Sequence, residues 1–465
     1  MWLALKAFLV CLVLTPIFRD IFRSYGIVDK PDRRRKVHVY PIPRIGGIPI
    51  AIAYVVALYP FSDESRLLSA YLPLAWKMIP AAGLIFIVGL TDDLIGLKPW
   101  QKLLGQLGAA GLAYWAGVRV AGVAGFLPND AVWWTLPLTL FWLLACTNAF
   151  NLVDGLDGLA AGMGLVASLT MLVAALQEPN MQLAYACVPL VGALVAFLCF
   201  NFNPATVFLG DSGSMLIGFL LGCYGVVWAQ KSATLVGMMV PLLAVSIPLL
   251  DVSLTFLRRF LRNQPIFSAD RGHIHHRLLD RGLAPSRAVL VLYLVCAAAA
   301  AFALLLTHPY AGRFYGPIIL VICFVVWVGI RQLRYAEFGL ASRLLFGGEL
   351  QRTLGGQIRL EMLAEKLGEA QSEEDCWQVL AASIDDFGFS AVELSLRGRQ
   401  WQKSFPRSLD AESWSLEVPL GEQAWLRLAR PFDSGVLPMM VTPFLDTVRR
   451  ALQSKLQNWD REAVL

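Results

Sequence analysis

About eleven apolar runs, most of them roughly 16–22 residues long, set the first constraint on this chain. They lie near 1–18, 46–61, 71–90, 101–118, 131–147, 158–176, 183–200, 213–229, 234–257, 287–306 and 314–330. Runs of that length cross the hydrocarbon core of a bilayer as helices and are too long for barrel strands. The chain is 57% hydrophobic and 16% charged, against about 45–50% and about 25% for an ordinary soluble domain. The expected fold class is therefore an all-α polytopic membrane protein with about eleven transmembrane helices in a lipid bilayer. The first run lacks a small-x-small cleavage site and leads into a basic segment, so it is expected to be a retained helix. The eight cysteines form no C-x-x-C pair, and most sit inside apolar runs. There they serve as small buried hydrophobes, not as a disulfide frame or a zinc site.

Lysine and arginine are distributed unevenly between the loops. The segment after the first run carries Arg19, Arg23, Lys30, Arg33, Arg34, Arg35, Lys36 and Arg44. The segment after the ninth carries Arg258, Arg259, Arg262, Arg271, Arg277, Arg281 and Arg287. By the positive-inside rule these segments are cytoplasmic, which places the N-terminus outside and, with eleven spans, the C-terminus inside. The net charge of +5 thus bears on orientation, and no nucleic-acid partner is expected. Counting spans then puts 19–45, 91–100, 148–157, 201–212 and 258–286 on the cytoplasmic side. All five are dense in Asp, Asn, Lys, Arg or His, whereas the opposite loops hold little beyond Arg66, Arg119, Lys231 and Arg313. Scattered structural turns would not sort to one face.

Past Arg334 the composition becomes mixed and charged. Residues 361–370 and 376–387 read as amphipathic helices, 391–396, 414–419 and 425–429 as strands, and 444–456 as a last helix. The expectation is a membrane domain over 1–335 and a small cytoplasmic α+β domain over 340–465. The order of elements in that tail loosely resembles a GAF-type sensory domain. It carries no ligand motif, so a structural or dimerising tail, and with it a homodimer, is the plainer reading.

The chemistry-bearing residues fall in four stretches. Asn148, Asn151, Asp154 and Asp157 recur every third residue, so neighbours share a helix surface. Gly155 and Gly158 beside them allow close approach by a ligand. Grouped carboxylates and carboxamides at a membrane edge suit a hard cation with a polyphosphate, although a polar turn would also account for them. Asp92 and Asp93 end the third run; adjacent helical residues point about 100° apart, so one can face reacting groups while the other orients a ligand or pairs with Lys102. The plainer reading is an acidic pair capping the next helix. Asp211, between Gly210 and Ser212 at a helix start, suits a divalent ion and a phosphate, or a simple N-cap. Arg271, His273, His275 and His276 lie in a basic loop without Cys or Glu to complete a zinc site, and donate more naturally to phosphate oxygens. Residues 33–36 with His38 form a second basic patch, which also acts as a topology anchor. There is no Walker A loop, H-E-x-x-H or G-x-S-x-G motif.

In that order, Asp92-Asp93, Asn148-x-x-Asn151-x-x-Asp154-Gly155-x-Asp157-Gly158, Phe208-x-Gly210-Asp211-Ser212-Gly213 and His273-x-His275-His276 resemble the polyprenyl-phosphate N-acetylhexosamine-1-phosphate transferases, a branch of glycosyltransferase family 4. The resemblance spans roughly residues 20–335 and looks closer to the WecA-like branch than to the MraY-like branch. It implies transfer of a HexNAc-1-phosphate, GlcNAc-1-phosphate above all, from a UDP-N-acetylhexosamine to undecaprenyl phosphate. UMP is released, with Mg²⁺ or Mn²⁺ required, as the first step of O-antigen or another surface polysaccharide. It also implies roles. Asp92, Asp93, Asp154 and Asp211 would be catalytic, with Asp92 the base and Asp211 and Asp154 on the metal. Asn148, Asn151, Asp157, Asn201, Arg271, His273, His275 and His276 would bind nucleotide and sugar. Lys36, His38, Arg44 and Lys102 would bind the lipid phosphate. Many members carry a third Asp where this chain has Gly96. The alternatives are an MraY-like phospho-MurNAc-pentapeptide transferase and, in another class, an ion-coupled transporter; the latter would show paired repeats and a midplane site.

Overall fold

The computed structural model describes residues 1–29, 41–59, 73–120, 131–231, 235–261, 273–307, 315–332, 349–404, 412–421, 424–432 and 441–464. The chain divides into two compact units, Met1–Leu333 and Arg334–Leu465.

The first unit is helical. Its helices are α1 (Trp2–Ser24), α2 (Gly47–Leu58), α3 (Pro73–Ile95), α4 (Pro99–Trp115), α5 (Val132–Val153), α6 (Leu159–Gln177), α7 (Met181–Asn201), α8 (Gly210–Lys231), α9 (Leu235–Ala244), α10 (Ser246–Leu261), α11 (Ile274–Asp280), α12 (Pro285–Leu306) and α13 (Tyr315–Gln332). Among the described residues, seven are long and apolar enough to cross a membrane: α1, α3, α5, α6, α7, α8 and α12. This is a multi-pass membrane protein. Each apolar run of the sequence contains helix, but not always one helix. The run over 234–257, expected as a single span, is α9 followed by α10 with a turn at Val245. The cause is Pro248, which has no N–H to donate to the carbonyl four residues back, at Ala244, and whose ring crowds that oxygen.

Helix α8 is the hub. Of its most apolar window, 94% is buried, against 22% for α1. A helix that is apolar on all sides and carries small residues can be surrounded. It packs against α3 and α5, and α1 packs against α7. The α3 contact is backbone on backbone: a Cβ built on Gly89 would lie 2.6 Å from the Asp211 carbonyl oxygen and from the Ser212 Cα. A short strap, residues 42–47, is laced to the start of α8. Gly46 N–H donates to Phe208 O (2.9 Å), Gly47 N–H to Leu209 O (3.1 Å), and Phe208 N–H to Pro43 O (2.9 Å).

The second unit is α+β. It holds α14 (Glu349–Glu369), α15 (Glu373–Ser383), β1 (Ala391–Leu396), β2 (Arg399–Ser404), β3 (Ser413–Gly421), β4 (Ala424–Pro431) and α16 (Val441–Val464). The sheet is antiparallel in the order β2-β1-β4-β3. Alternating residues of β1 and β4, Val392, Leu394, Leu426 and Leu428, are fully buried beside Phe387, Phe389 and Phe444. Ser372 caps α15 by accepting from Asp375 N–H while Asp375 accepts from Ser372 N–H. Strand β2 was not expected from the sequence. Its residues are almost all exposed, so its sequence need not alternate.

Candidate active site

The polar motifs meet at one end of the helix bundle, where α3, α5 and α7 finish and α4, α6 and α8 begin. Asp92 and Asp93 stand in the last turn of α3 and separate, as adjacent helical positions must. Asp93 turns to the start of α8, where one carboxylate oxygen accepts from Asp211 N–H (2.7 Å) and the other from Ser212 N–H (2.9 Å). These are N–H groups that a helix start leaves without an internal partner, and an anion there also meets the positive end of the helix dipole. Gly210 makes the approach possible. Its φ is +74°, and a Cβ there would sit 2.8 Å from the Asp93 carboxylate.

Asp92 turns the other way. Its Oδ1 accepts from Leu97 N–H (2.6 Å) and its Oδ2 from the Lys102 ammonium (2.9 Å). Lys102, in the first turn of α4, also donates to Asn151 Oδ1 (3.0 Å) and to Asp211 Oδ2. Three oxygens from α3, α5 and α8 therefore converge on one half-buried cation. Asn151 is itself oriented by Nδ2 donating to Ser214 Oγ (3.1 Å).

The other sequence-derived residues divide between the centre and its supports. Asn148, one turn before Asn151, exchanges two hydrogen bonds with the buried Gln106 (3.1 and 2.8 Å), tying α5 to α4. Asp157 accepts from Asn203 Nδ2 and Ala205 N–H, both at 3.0 Å, and the buried Asn201 donates to Val207 O (2.8 Å). Both pin the segment that leads into α8. Asp154 caps the end of α5, half-buried. Burial first, and then the like charges of Asp211 and Asp93, push its carboxyl up to about 8. Arg44 sits on the strap beside α8 and pairs with Asp29 (3.1 Å). Lys36, His38 and Arg271 lie outside the described residues.

The histidine motif joins the second motif directly. A Cβ on Gly155 would lie 2.5 Å from His275 Nε2, so the imidazole rests on the backbone next to Asp154. His275 Nε2 is buried with no hydrogen-bond partner among the described residues. Burial, with His276 adding to it, lowers its pKa to about 3, so the ring is neutral. The His273 and His275 rings stack 5.7 Å apart and nearly parallel, and His276 tilts against His275 at 4.3 Å. His273 Nδ1 is 2.9 Å from Asp251 Oδ2. Sequence reasoning passed over Asp251, Gln106 and Ser214. For Asp251 a signal existed, since a lone carboxylate in an apolar run demands a partner.

Residues 75–229 match the sequence profile described as Glycosyl transferase family 4. The chain is 34% identical, over 292 residues, to the probable undecaprenyl-phosphate N-acetylglucosaminyl 1-phosphate transferase of Bacillus subtilis, covering 62% of this chain and 79% of that protein. The chain belongs to glycosyl transferase family 4. Other family 4 relatives agree in name. The decaprenyl-phosphate N-acetylglucosaminephosphotransferase of Mycolicibacterium smegmatis is 36% identical over 321 residues, covering 62% of this chain and 78% of the relative. The undecaprenyl-phosphate alpha-N-acetylglucosaminyl 1-phosphate transferase of Escherichia coli K12 is 27% identical over 310 residues, covering 63% and 80%. The family 4 match contains Asp92, Asp93, Lys102, the Asn148–Gly158 motif and Asp211; Arg44, Asp251 and the histidines lie outside it.

Proposed function

We propose that this chain transfers GlcNAc-1-phosphate from UDP-GlcNAc to undecaprenyl phosphate and releases UMP. The observation that carries the reading is the convergence of Asp92, Asn151 and Asp211 on Lys102 at the start of α8, in a chain whose relatives bear N-acetylglucosaminyl-1-phosphate transferase names. An oxygen of the lipid phosphate attacks the β-phosphorus of the nucleotide sugar. The new P–O bond forms as the bond from that phosphorus to the UMP oxygen breaks, and the electron pair leaves with UMP. Such transfers need positioning and neutralisation of charge more than covalent help from the protein. Lys102, already held by two carboxylates, is placed to donate to a phosphate oxygen when substrate enters. Asp92 is the candidate base. Its task is light near neutral pH, because a phosphate monoester has a second pKa of about 6. Asp93 holds the α8 start, and with it Asp211, in register.

The donor set fits Mg²⁺ or Mn²⁺. It is all oxygen, from carboxylates and a carboxamide, and it already gathers around a cation. Among the described residues no three His, Cys, Asp or Glu side chains group closely enough to hold an ion alone. Mg²⁺ takes one or two carboxylates and completes its shell with water and substrate phosphate. Asp211, from that set, and Asp154, whose carboxyl feels the Asp211 charge, are the residues we assign to it. When bound, the ion supplies neutralisation of the diphosphate charge.

We place the N-terminus in the periplasm, and the site and second unit in the cytoplasm, on the strength of the arginine-rich loops. The lipid product would then start a surface polysaccharide, O-antigen among them. The test is purified protein with undecaprenyl phosphate, Mg²⁺ and UDP-GlcNAc, UDP-GalNAc or UDP-MurNAc-pentapeptide in turn, measuring UMP and the lipid product. UDP-GlcNAc is expected to be used best. Turnover of the pentapeptide donor alone would overturn the reading.

A further inference from the structure

The first unit buries a carboxylate that none of the motifs contains. Asp251 lies in α10, its side chain 2% exposed. Both of its oxygens are engaged with the start of the histidine motif. Oδ2 is 2.9 Å from His273 Nδ1, and Oδ1 accepts from Ile274 N–H at 2.7 Å. Ile274 is the first residue of α11, and His273 is its N-cap. Thr255, one turn further along α10, brings its hydroxyl to 3.4 Å from the same ring nitrogen. A buried carboxylate is tolerated when its lone pairs are satisfied, and an ionised one can only accept. A carboxylate there calls for a proton on the ring nitrogen that faces it.

We propose that Asp251 is a positioning residue for the transfer. It holds His273 with Nδ1 protonated, so that Nε2, on the opposite edge of the ring, is the nitrogen presented to the donor substrate. The same carboxylate anchors the start of α11, the helix that seats His275 on Gly155 with His276 tilted against it. One group thus sets both the tautomer of the first histidine and the seat of the next two. A carboxylate behind a histidine that orients it is a recurrent device where a ring must act with one chosen nitrogen.

A purely structural role predicts something different. If Asp251 only anchored α11, asparagine would serve nearly as well, since its oxygen can still accept from Ile274 N–H. Asparagine cannot, however, accept on its other atom. It would present an NH₂ to Nδ1 and so demand the lone pair there, moving the ring proton to Nε2.

The inference rests on the transferase reading, and its test keeps the two apart. Full-length protein labelled with ¹⁵N-histidine is examined by NMR, with the His273 signals assigned by their loss in His273→Gln among the five histidines of the chain. Wild type is expected to show Nδ1–H at His273 and Asp251→Asn to show Nε2–H. A neutral Nε2–H ring in wild type overturns the proposal, whether or not any variant folds and whether or not UDP-GlcNAc is turned over. In the GlcNAc-1-phosphate transfer assay Asp251→Asn is expected to lower kcat by about 10–100-fold while KM for UDP-GlcNAc stays within about threefold. Adding Asp251→Asn to His273→Ala is expected to lower the rate no further, because the group it positions is already gone. Multiplying losses, or an Asp251→Asn rate equal to wild type, would overturn it. A wild type that forms no product from UDP-GlcNAc would instead sink the transferase reading and leave the NMR result to stand.

Discussion

Exchanging each carboxylate of the Asp92-Asp93 pair for asparagine should give two different phenotypes, although the residues are chemically identical and adjacent. Asp93 accepts from Asp211 N–H and Ser212 N–H at the start of α8. Asp93→Asn keeps one acceptor and turns an NH₂ against the other N–H. One hydrogen bond to a charged acceptor is lost, worth about 1.5–3 kcal/mol, together with a charge–dipole contribution of about 0.3–1 kcal/mol. The sum is about 2–4 kcal/mol in the best-buried helix of the bundle. At about 2–4 °C per kcal/mol for a large domain, the midpoint of thermal unfolding in detergent should fall by at least ~4 °C. Asp92→Asn keeps an acceptor for Leu97 N–H and leaves Lys102 with Asn151 and Asp211. Its stability loss should be the smaller of the two, because Lys102 keeps the Asp211 carboxylate as a counter-ion, while turnover falls steeply. Unfolding followed by tryptophan fluorescence, with UMP release measured on the same preparations, reads both quantities. Equal melting losses for the two variants, or a stable Asp93→Asn, would refute the division of labour drawn from the geometry.

Asp211→Asn keeps the side-chain volume and removes a charge from the cation locus. Since the metal's stabilisation amounts to several kcal/mol and about 1.4 kcal/mol is tenfold in rate, turnover should drop by about 100-fold or more and need more Mg²⁺. A near wild-type rate with unchanged metal dependence would remove Asp211 from the metal site. The raised pKa of Asp154, about 8, couples metal to protons. Below that pH the metal-free site holds a proton that Mg²⁺ must displace, so apparent Mg²⁺ affinity should climb from pH 6 to about 8 and then level off. The metal-free protein should lose stability over the same interval, because the unfolded chain has already released that proton at lower pH. Calorimetric titrations at four pH values check this, and a flat affinity would mean Asp154 does not ligate. A chain ending at Leu333, the boundary of the first unit, should retain transferase activity in detergent; a well-folded truncation with no turnover would give the second unit a part in catalysis.

Much of this arrangement is legible in the sequence because it depends on local properties. Run length and hydropathy locate the long apolar helices, and counting spans puts 91–100, 148–157 and 201–212 on one side, where Asp92, Asn151 and Asp211 do meet. The break at Val245 needed attention to Pro248 inside a continuous apolar run, since hydropathy is blind to a missing N–H. The roles within the acidic pair were beyond reach for a different reason. Helical geometry says that Asp92 and Asp93 diverge, but which one faces Lys102 depends on how α8 seats against Gly89. Asp251 went unnoticed in apolar surroundings because its partner, His273, lies 22 residues further along the chain. In the second unit the buried strands were readable from alternation, and β2 was not.

The hydrogen bonds from α8 to Asp93 span 118 and 119 residues of sequence. Synthesis at about 5–20 residues per second leaves this carboxylate without its native partners for about 6–24 s after it emerges. Lys102 follows Asp92 and Asp93 almost at once and can pair with one of the two in the interim, Asp92 being the partner it keeps in the finished fold. A biogenesis intermediate stalled before residue 210 should therefore be the stage at which loss of Lys102 is most damaging to membrane insertion, well before any substrate is present.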